Sequence, residues 1–152
     1  MTKKMWVTGV FLLVLIAAVI YVVQRGKETT EHHYVFEGSG EYWSAEYEVK
    51  AAEAFTEKQN KTDYHSDSSA HFKLLYKNEL SDISGLDKLA YSYKGTSNGG
   101  SGTEEFSQSP KSKEVISRPA GSGNGAFERR DSRIEVTVEW QGKKESFYLA
   151  VK

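Results

Sequence analysis

An uncharged, apolar run near the N-terminus limits what this chain can fold into more than any other feature. No charged residue occurs from Met5 to Val23, and Val10 to Val23 is apolar apart from the hydroxyl group of Tyr21. As a helix, such a run covers roughly 28 Å, close to the thickness of the hydrocarbon core of a bilayer. It also lacks the polar face that a surface helix of a small domain needs. The run therefore predicts a transmembrane helix that anchors the chain in the lipid bilayer.

The residues after this run bear on whether it is an anchor or a cleaved signal peptide. A signal peptide ends in small residues after its apolar stretch, whereas this run ends in Val22-Val23-Gln24-Arg25. This flank favours an uncleaved anchor, and release of the same domain after cleavage stays the alternative. The chain contains no cysteine, so a lipid-modified cysteine cannot anchor it.

Positive charges at the two ends of the run predict its orientation. Lys3, Lys4 and the α-amino group precede it, while Arg25 and Lys27 follow it. Positive residues favour the cytoplasmic side, so the N-terminus is expected in the cytoplasm by a narrow margin. The predicted organisation is a cytoplasmic tail and anchor at 1–27, a linker at 28–32 and an extracytoplasmic domain at 33–152.

The charge of the part beyond the anchor excludes one class of partner. Residues 1–27 hold four of the 20 basic residues and none of the 21 acidic ones, which leaves 16 basic against 21 acidic residues in 28–152. A net-acidic domain of this kind is not expected to bind nucleic acid or adsorb to anionic lipid.

Beyond residue 40 the apolar residues recur with a period of two, which is typical of half-buried β-strands. Alternation is clear from Trp43 to Ala51, from Phe72 to Tyr76 and from Leu89 to Tyr93. A weaker strand at Val115 and Ile116 is expected to end at Pro119, and Ala52 to Phe55 could be helical.

The C-terminal hairpin has the clearest pattern. From Arg133 to Trp140 the apolar residues alternate without a miss, and Phe147, Leu149 and Val151 share one face of the return strand. A loop with an even number of residues sets Val136 and Val138 opposite the Phe147/Leu149 face, whereas an odd number would oppose apolar and polar side chains. An even-numbered loop is therefore predicted, with Gly142 supplying the positive φ.

Polar and glycine-rich stretches separate these strands and suggest their arrangement. Short strands with glycine-rich connections are typical of an antiparallel sandwich, and about 120 residues suit a two-sheet sandwich of about seven strands. The stretches expected to be loops are Gly38-Ser39-Gly40, Gln59 to Ser69, Thr96 to Thr103 and Gly121 to Gly125.

Three segments of the domain resemble a family of small exported domains of Gram-positive bacteria, many of which are lipoproteins. The segments are Phe36 to Trp43 (FEGSGEYW), Tyr91 to Gly95 (YSYKG) and Ile134 to Leu149 (IEVTVEWQGKKESFYL). The resemblance spans most of 33–152 and implies an immunoglobulin-like β-sandwich at the cell envelope. It supplies no catalytic residues. The lipid-attachment cysteine of these lipoproteins is missing here, so the hydrophobic span would have to serve as the anchor.

The histidines do not form a recognisable metal or catalytic motif. His32 and His33 are adjacent, so on a strand they point to opposite faces and are more typical of a solvated linker. His65 lies in the polar segment Asp63-Tyr64-His65-Ser66-Asp67, which has neither zinc-motif spacing nor the central glycine of a calcium loop. His71 is expected at the start of a strand. No metal ligand and no catalytic residue is assigned.

The glycine-rich stretches do not predict a cofactor site. A phosphate-binding loop needs a helix after it and a Gly-Lys-Ser/Thr ending. Neither Thr96 to Thr103 nor Gly121 to Gly125 has these features. The sequence also lacks a Gly-x-Ser-x-Gly nucleophile motif. No cofactor is therefore expected.

Aromatic residues are the most informative candidates for recognition. Rings exposed on a sandwich can stack on sugars or contact a protein partner. Trp43 and Trp140 fall on the apolar faces of their strands and are expected in the core, whereas Tyr42, Tyr64 and Tyr148 are the candidates for partner binding.

Two functions remain open from the sequence. The first is a non-enzymatic binding or interaction module on the outer face of the membrane, with another envelope protein or cell-wall glycan as its partner. The second is an exported glycan-modifying or hydrolase-like enzyme, whose carboxylates and His65 or His71 come together only in three dimensions. A deep pocket that gathers those residues would favour the enzyme, and an open surface with exposed tyrosines would favour the module.

Overall fold

The structure is a computed structural model that describes residues 27–58 and 61–152. The predicted span from Met5 to Val23 lies outside the described residues. Within the described ranges, no helix is long and apolar enough to cross a membrane. The described chain divides into two compact units, the first comprising 27–30, 53–58 and 61–65, the second 31–52 and 66–152.

The fold is all-β and antiparallel, as the alternating patterns predicted. Eight strands in the order β5-β4-β7-β8-β1-β2-β3-β6 form the sheet, and a short 3₁₀ helix precedes β4. The strands are β1 (Lys27–Ser39), β2 (Trp43–Lys58), β3 (Lys61–Tyr76), β4 (Lys88–Lys94), β5 (Gly99–Glu105), β6 (Glu114–Gly123), β7 (Ile134–Trp140) and β8 (Lys143–Val151), and the 3₁₀ helix covers Leu80–Ile83.

In the second unit the sheet folds back on itself, so that one set of four strands packs against the other. The two sets, β5-β4-β7-β8 and β1-β2-β3-β6, are linked by a short β1–β8 pairing in which Phe36 opposes Val151. An ion pair between Arg118 and Glu104 connects the two outermost strands, β6 and β5. The predicted antiparallel β-sandwich is confirmed in this form, with the sheet nearly closed.

Aromatic rings fill the space between the two sets of strands. The ring centroid of Trp43 in β2 lies 5.6 Å from that of Trp140 in β7, and both side chains are buried. Phe72 of β3 stacks on Tyr91 and Tyr93 of β4 at 5.5 and 4.8 Å between ring centroids. Each large aromatic side chain buries on the order of 150–250 Å², so these contacts are a major source of stability. The prediction that both tryptophans belong to the core is confirmed.

The C-terminal hairpin has the predicted parity. Val136 pairs with Phe147, and Ile134 pairs with Leu149. The loop contains two residues, Gln141 and Gly142, with φ of 44° and 74°. Two consecutive positive φ values are typical of the tight turn whose twist matches the flanking strands.

Several stretches expected to be irregular belong to strands, which corrects the sequence analysis. Residues 61–69 lie in β3 rather than in a loop, and 28–32 lie in β1 rather than in a spacer. Residues 52–55 continue β2 instead of turning helical. Polar side chains are tolerated in these strands because many of them are at least partly exposed, and pairing with neighbouring strands outweighs weak intrinsic preference.

The stretch Thr96 to Thr103, expected to be a loop, is a short turn followed by β5. Its glycines make room for tyrosine rings of the neighbouring strand, because a Cβ atom on Gly100 would collide with the ring of Tyr93 and one on Gly102 with Tyr91. Glycine normally weakens a strand, but here it permits a close approach of another group.

The weak strand expected to end at Pro119 continues through it to Gly123 as β6. Proline is tolerated there because β6 is the last strand of the sheet, so one side of it needs no hydrogen-bond donors. The pairing with β3 shifts between Ala70 and His71, next to the proline.

Candidate binding surfaces

An open groove of about 710 Å³ lies along β1, β2 and β3. Consecutive residues of each strand line it, so side chains from both faces of the strands contribute. The side chains that line it combine two carboxylates, an amine, two imidazoles and hydroxyl groups. The residues that line the groove are Glu31, His32, His33, Lys50, Ala51, Ala52, Asp67, Ser68, Ser69 and Ser122.

One carboxylate beside the groove holds two of the side chains that line it. Glu48 Oε1 lies 2.9 Å from Lys50 Nζ and 2.8 Å from His33 Nε2. The hydrogen bonds from Lys50 and, second, from His33 hold the pKa of the Glu48 carboxyl below its ordinary value. Glu48 is therefore ionised at neutral pH and holds the side chains of Lys50 and His33 in place. An ionised carboxylate of this kind suits ligand recognition better than proton transfer at that pH.

A smaller cleft of about 310 Å³ lies at the turn between β4 and β5. Asn98 Nδ2 donates to the Ala120 carbonyl at 3.2 Å and contacts Tyr47 Oη at 3.4 Å. Burial, followed by the nearby Tyr93 and Glu128, raises the pKa of Tyr47 to about 12. Its phenol is therefore neutral at physiological pH and cannot act as a nucleophilic phenolate there.

Glu128 forms part of the lining of this cleft and is only 1% exposed. Its carboxylate accepts three consecutive backbone N–H groups, from Thr96 at 3.2 Å, Ser97 at 2.7 Å and Asn98 at 2.8 Å. A Cβ atom on Gly95 would collide with that carboxylate. The hydrogen bonds give Glu128 a complete structural role in holding the β4–β5 turn, since a buried charge needs such partners.

A second carboxylate holds the turn between β1 and β2 in the same way. Glu145 accepts the backbone N–H groups of Glu41, of Tyr42 at 3.1 Å and of Trp43 at 3.0 Å. A Cβ atom on Gly40 would collide with it. Sequence reasoning missed both carboxylates, because they are distant in the chain from the turns that they hold.

The two tyrosines of the second unit that were predicted to bind a partner differ in their exposure to solvent. Tyr148 is 58% exposed on the outer face of β8, with the guanidinium carbon of Arg133 5.9 Å from its ring centre. Tyr42 is partly buried, with its ring 5.5 Å from that of Trp140 and 5.1 Å from Lys143 Nζ. Tyr148 is thus available to a partner over much more of its surface than Tyr42.

The third candidate, Tyr64, lies in the first unit beside a residue that sequence reasoning missed. Tyr64 and Phe55 are both 46% exposed, and their ring centroids are 5.2 Å apart. Phe55 continues the alternation of Trp43 to Ala51, which was the available signal, but a helical interpretation of that stretch concealed it.

The histidines occupy separate environments. His33 bonds to Glu48, and His32 Nδ1 is 2.9 Å from Tyr34 Oη; both residues lie in β1 rather than in a linker, although His33 is exposed as expected. His71 lies within β3 rather than at its start, and its Nε2 is 3.0 Å from Ser117 Oγ. His65 is exposed in the first unit, and neither His65 nor His71 lines the groove or the cleft. No cluster of three metal-ligating side chains occurs in the part of the chain that the structure describes.

Comparisons with protein-family models, with curated proteins and with solved structures find no significant match to this chain.

Proposed function

We propose that this protein is a non-enzymatic binding module anchored in the cell membrane by Met5–Val23 and displayed on its outer side. Its ligand lies along the groove on β1, β2 and β3, and the partner is another envelope protein or a cell-wall glycan. Charged and hydroxyl groups in the groove suit a polar, extended ligand, since such groups fix orientation and specificity.

The observation that carries this proposal is the open form of the groove together with the contacts that Glu48 makes to Lys50 and His33. A hydrolytic site needs a nucleophile or base poised in a site from which water can be excluded. Here Lys50 and His33 are engaged by Glu48, and the groove is open. This arrangement favours binding over turnover.

The pairing of the strands supports a finer proposal, that the sandwich is immunoglobulin-like, as the family resemblance implies. In that fold strand B pairs with E, C with F, and F with G. The same relations connect β3 with β6, β4 with β7, and β7 with β8. In this assignment β2 is strand A, β5 is an additional strand beside C, and β1 is an addition that joins strands A and G.

Site-specific photocrosslinking in the native membrane tests the binding proposal. A photoreactive residue at Ser69, inside the groove, is expected to capture a reproducible partner from intact cells. The same residue at Ala150, exposed on the outer face of β8, is the matched control and is expected to capture much less. Lys50→Glu should weaken capture at Ser69, because it reverses one charge of the groove and disrupts the contact with Glu48.

Equal capture at the two positions would contradict the groove as the binding site. Retention only on purified cell-wall glycan, with turnover that disappears on replacement of His65 or His71, would replace the module by the enzymatic alternative.

The topology has a separate test. Protease added to wall-stripped cells is expected to degrade residues 28–152 and to leave a short N-terminal remnant. Protection of the domain would reverse the proposed orientation, and release of the domain into the medium would show that the anchor is cleaved.

A further inference from the structure

The hairpin of β2 and β3 carries an aromatic pair, Phe55 and Tyr64, in which the hydroxyl group of Tyr64 already has a hydrogen-bond partner. Tyr64 Oη donates to Glu53 Oε1 at 2.6 Å, and Glu53 is buried. The hydroxyl group is thus turned towards the protein, while about half of the surface of both Tyr64 and Phe55 stays open to contact. The pair presents a preorganised apolar surface, since the hydrogen bond and the contact of the rings both limit the side-chain conformers of Tyr64.

The position of Phe55 in its strand makes this exposure unusual. It shares a strand face with Val49 and Ala51, which are buried. Side chains at alternate positions of a strand lie on one face, so Phe55 extends the apolar series of β2. Two neighbouring large rings that remain exposed on such a face mark a contact site more often than a single exposed residue does.

The order of the chain places this pair close to the predicted anchor. β1 and β2 are neighbours in the sheet and are joined by a tight turn, in which the Gly40 N–H donates to the Trp43 carbonyl at 2.9 Å. The first residues of β1 therefore lie beside the last residues of β2, where Phe55 is found. Val23 ends the apolar run four residues before Lys27, and four residues span at most about 14 Å.

The charge of the hairpin excludes an electrostatic explanation for membrane contact. Residues 53–65 contain three acidic residues, Glu53, Glu57 and Asp63, against Lys58 and Lys61, a net charge of −1. Attraction to anionic lipid requires an excess of basic residues. Aromatic rings, in contrast, are enriched at the level of the lipid headgroups whatever the charge of the lipid.

We propose that Phe55 and Tyr64 insert into the headgroup region of the bilayer that holds Met5–Val23, so that the hairpin is a second membrane contact. The inference depends on the proposed anchoring. It adds that the start of β1 and the β2–β3 hairpin are held at the membrane surface by apolar insertion.

The absence of cysteine from the chain allows a direct test with the full-length protein. A fluorophore is attached to Glu57→Cys, an exposed position on the same strand face as Phe55, or to Ala150→Cys as the control. The protein is reconstituted into phosphatidylcholine vesicles with or without a lipid that carries a quencher near the headgroup. Loss of fluorescence is expected at position 57 and not at position 150, at both low and high salt.

Serine substitutions provide the matched variants. Replacing both Phe55 and Tyr64 by serine should abolish the quenching at position 57, whereas Tyr148→Ser, which removes a ring that is even more exposed, should leave it unchanged. Intrinsic tryptophan fluorescence from the buried Trp43 and Trp140 verifies that each variant is folded.

Flotation of the vesicles separates this inference from the anchoring on which it depends. Protein that floats with the vesicles but shows no quenching at position 57 would overturn the hairpin contact and leave the anchor intact. Energy transfer between labels on two copies, without quenching by lipid, would assign the pair to self-association instead. Protein that fails to float would overturn both proposals.

Discussion

Two turns of the second unit are built in the same way and differ in their burial. In each, a glycine N–H donates to the carbonyl three residues ahead, from Gly40 to Trp43 at 2.9 Å and from Gly95 to Asn98 at 2.8 Å. In each, the next three backbone N–H groups converge on one carboxylate, Glu145 for the first turn and Glu128 for the second. Successive N–H groups of this kind form a concave site for an anion, and here the protein supplies the anion itself.

The difference between the two carboxylates is their access to water. Glu128 is 1% exposed, whereas Glu145 lies partly exposed near the start of β8. Water can replace a lost acceptor at Glu145 much more easily than at Glu128. The comparison therefore indicates that the same hydrogen bonds contribute more to stability where the carboxylate that accepts them is shielded from water.

Removing the charge of each carboxylate should produce the largest effects and the clearest contrast. Glu128→Gln is expected to lower the free energy of unfolding by about 2–3 kcal/mol, since the buried amide cannot accept all three N–H groups and brings an NH₂ donor without a partner into a buried position. Glu145→Gln is expected to cost about 1 kcal/mol, because water reaches that turn. Chemical unfolding of the full chain in nonionic detergent, followed by tryptophan fluorescence, measures both. Equal losses would show that burial does not decide the contribution.

Adding a methyl group at the two glycines tests whether each turn needs room for its carboxylate. Gly95→Ala and Gly40→Ala both place a Cβ atom against the carboxylate. We expect a loss of about 1–2 kcal/mol for Gly95→Ala, as is usual for overpacking, and a smaller loss for Gly40→Ala, because Glu145 can move into solvent.

Combining Gly95→Ala with Glu128→Gln sharpens this test. The double variant should lose less stability than the sum of the two single variants, since residues in contact are coupled. Additive losses, measured by the same unfolding experiment, would show that Gly95 matters for a reason other than the carboxylate.

The smallest effect is expected from an ordinary surface ion pair, which sets a baseline for both turns. Glu139 Oε1 lies 2.8 Å from Lys144 Nζ, and both side chains are more than half exposed. Glu139→Gln should change the free energy of unfolding by less than about 0.5 kcal/mol, because solvent screens exposed pairs. A loss as large as that of Glu145→Gln would remove the distinction between the turn carboxylates and surface charge.

The sequence predicted those parts of the fold in which side-chain alternation and turn chemistry agree. The register of Val136 with Phe147 followed from parity, and Gly142 supplied a residue suited to the turn. The start of β2 at Trp43 and the burial of both tryptophans followed from the same period of two. Local patterns suffice in these segments because one face is buried and the other is exposed.

The features that the sequence did not predict depend on neighbours that are distant in the chain. In the sequence, Gly100 and Gly102 resemble loop residues. In the structure they lie in a strand, where the rings of Tyr93 and Tyr91 occupy the space beside them. Likewise, nothing local connects Glu145 to Glu41, since 104 residues separate them. Of the predicted binding residues, Tyr64 and Tyr148 are exposed and Tyr42 is largely covered, a difference that depends on the packing of Trp140 beside it. The groove also joins residues of several strands that no motif connects.

The long separation between Glu145 and its turn also bears on the order in which the protein can be made. Synthesis proceeds from the N-terminus, so the β1–β2 turn emerges from the ribosome long before the carboxylate that holds it. Contacts between residues far apart in sequence form late and slow folding. The nascent chain therefore cannot complete this end of its sandwich until nearly all of it has been synthesised.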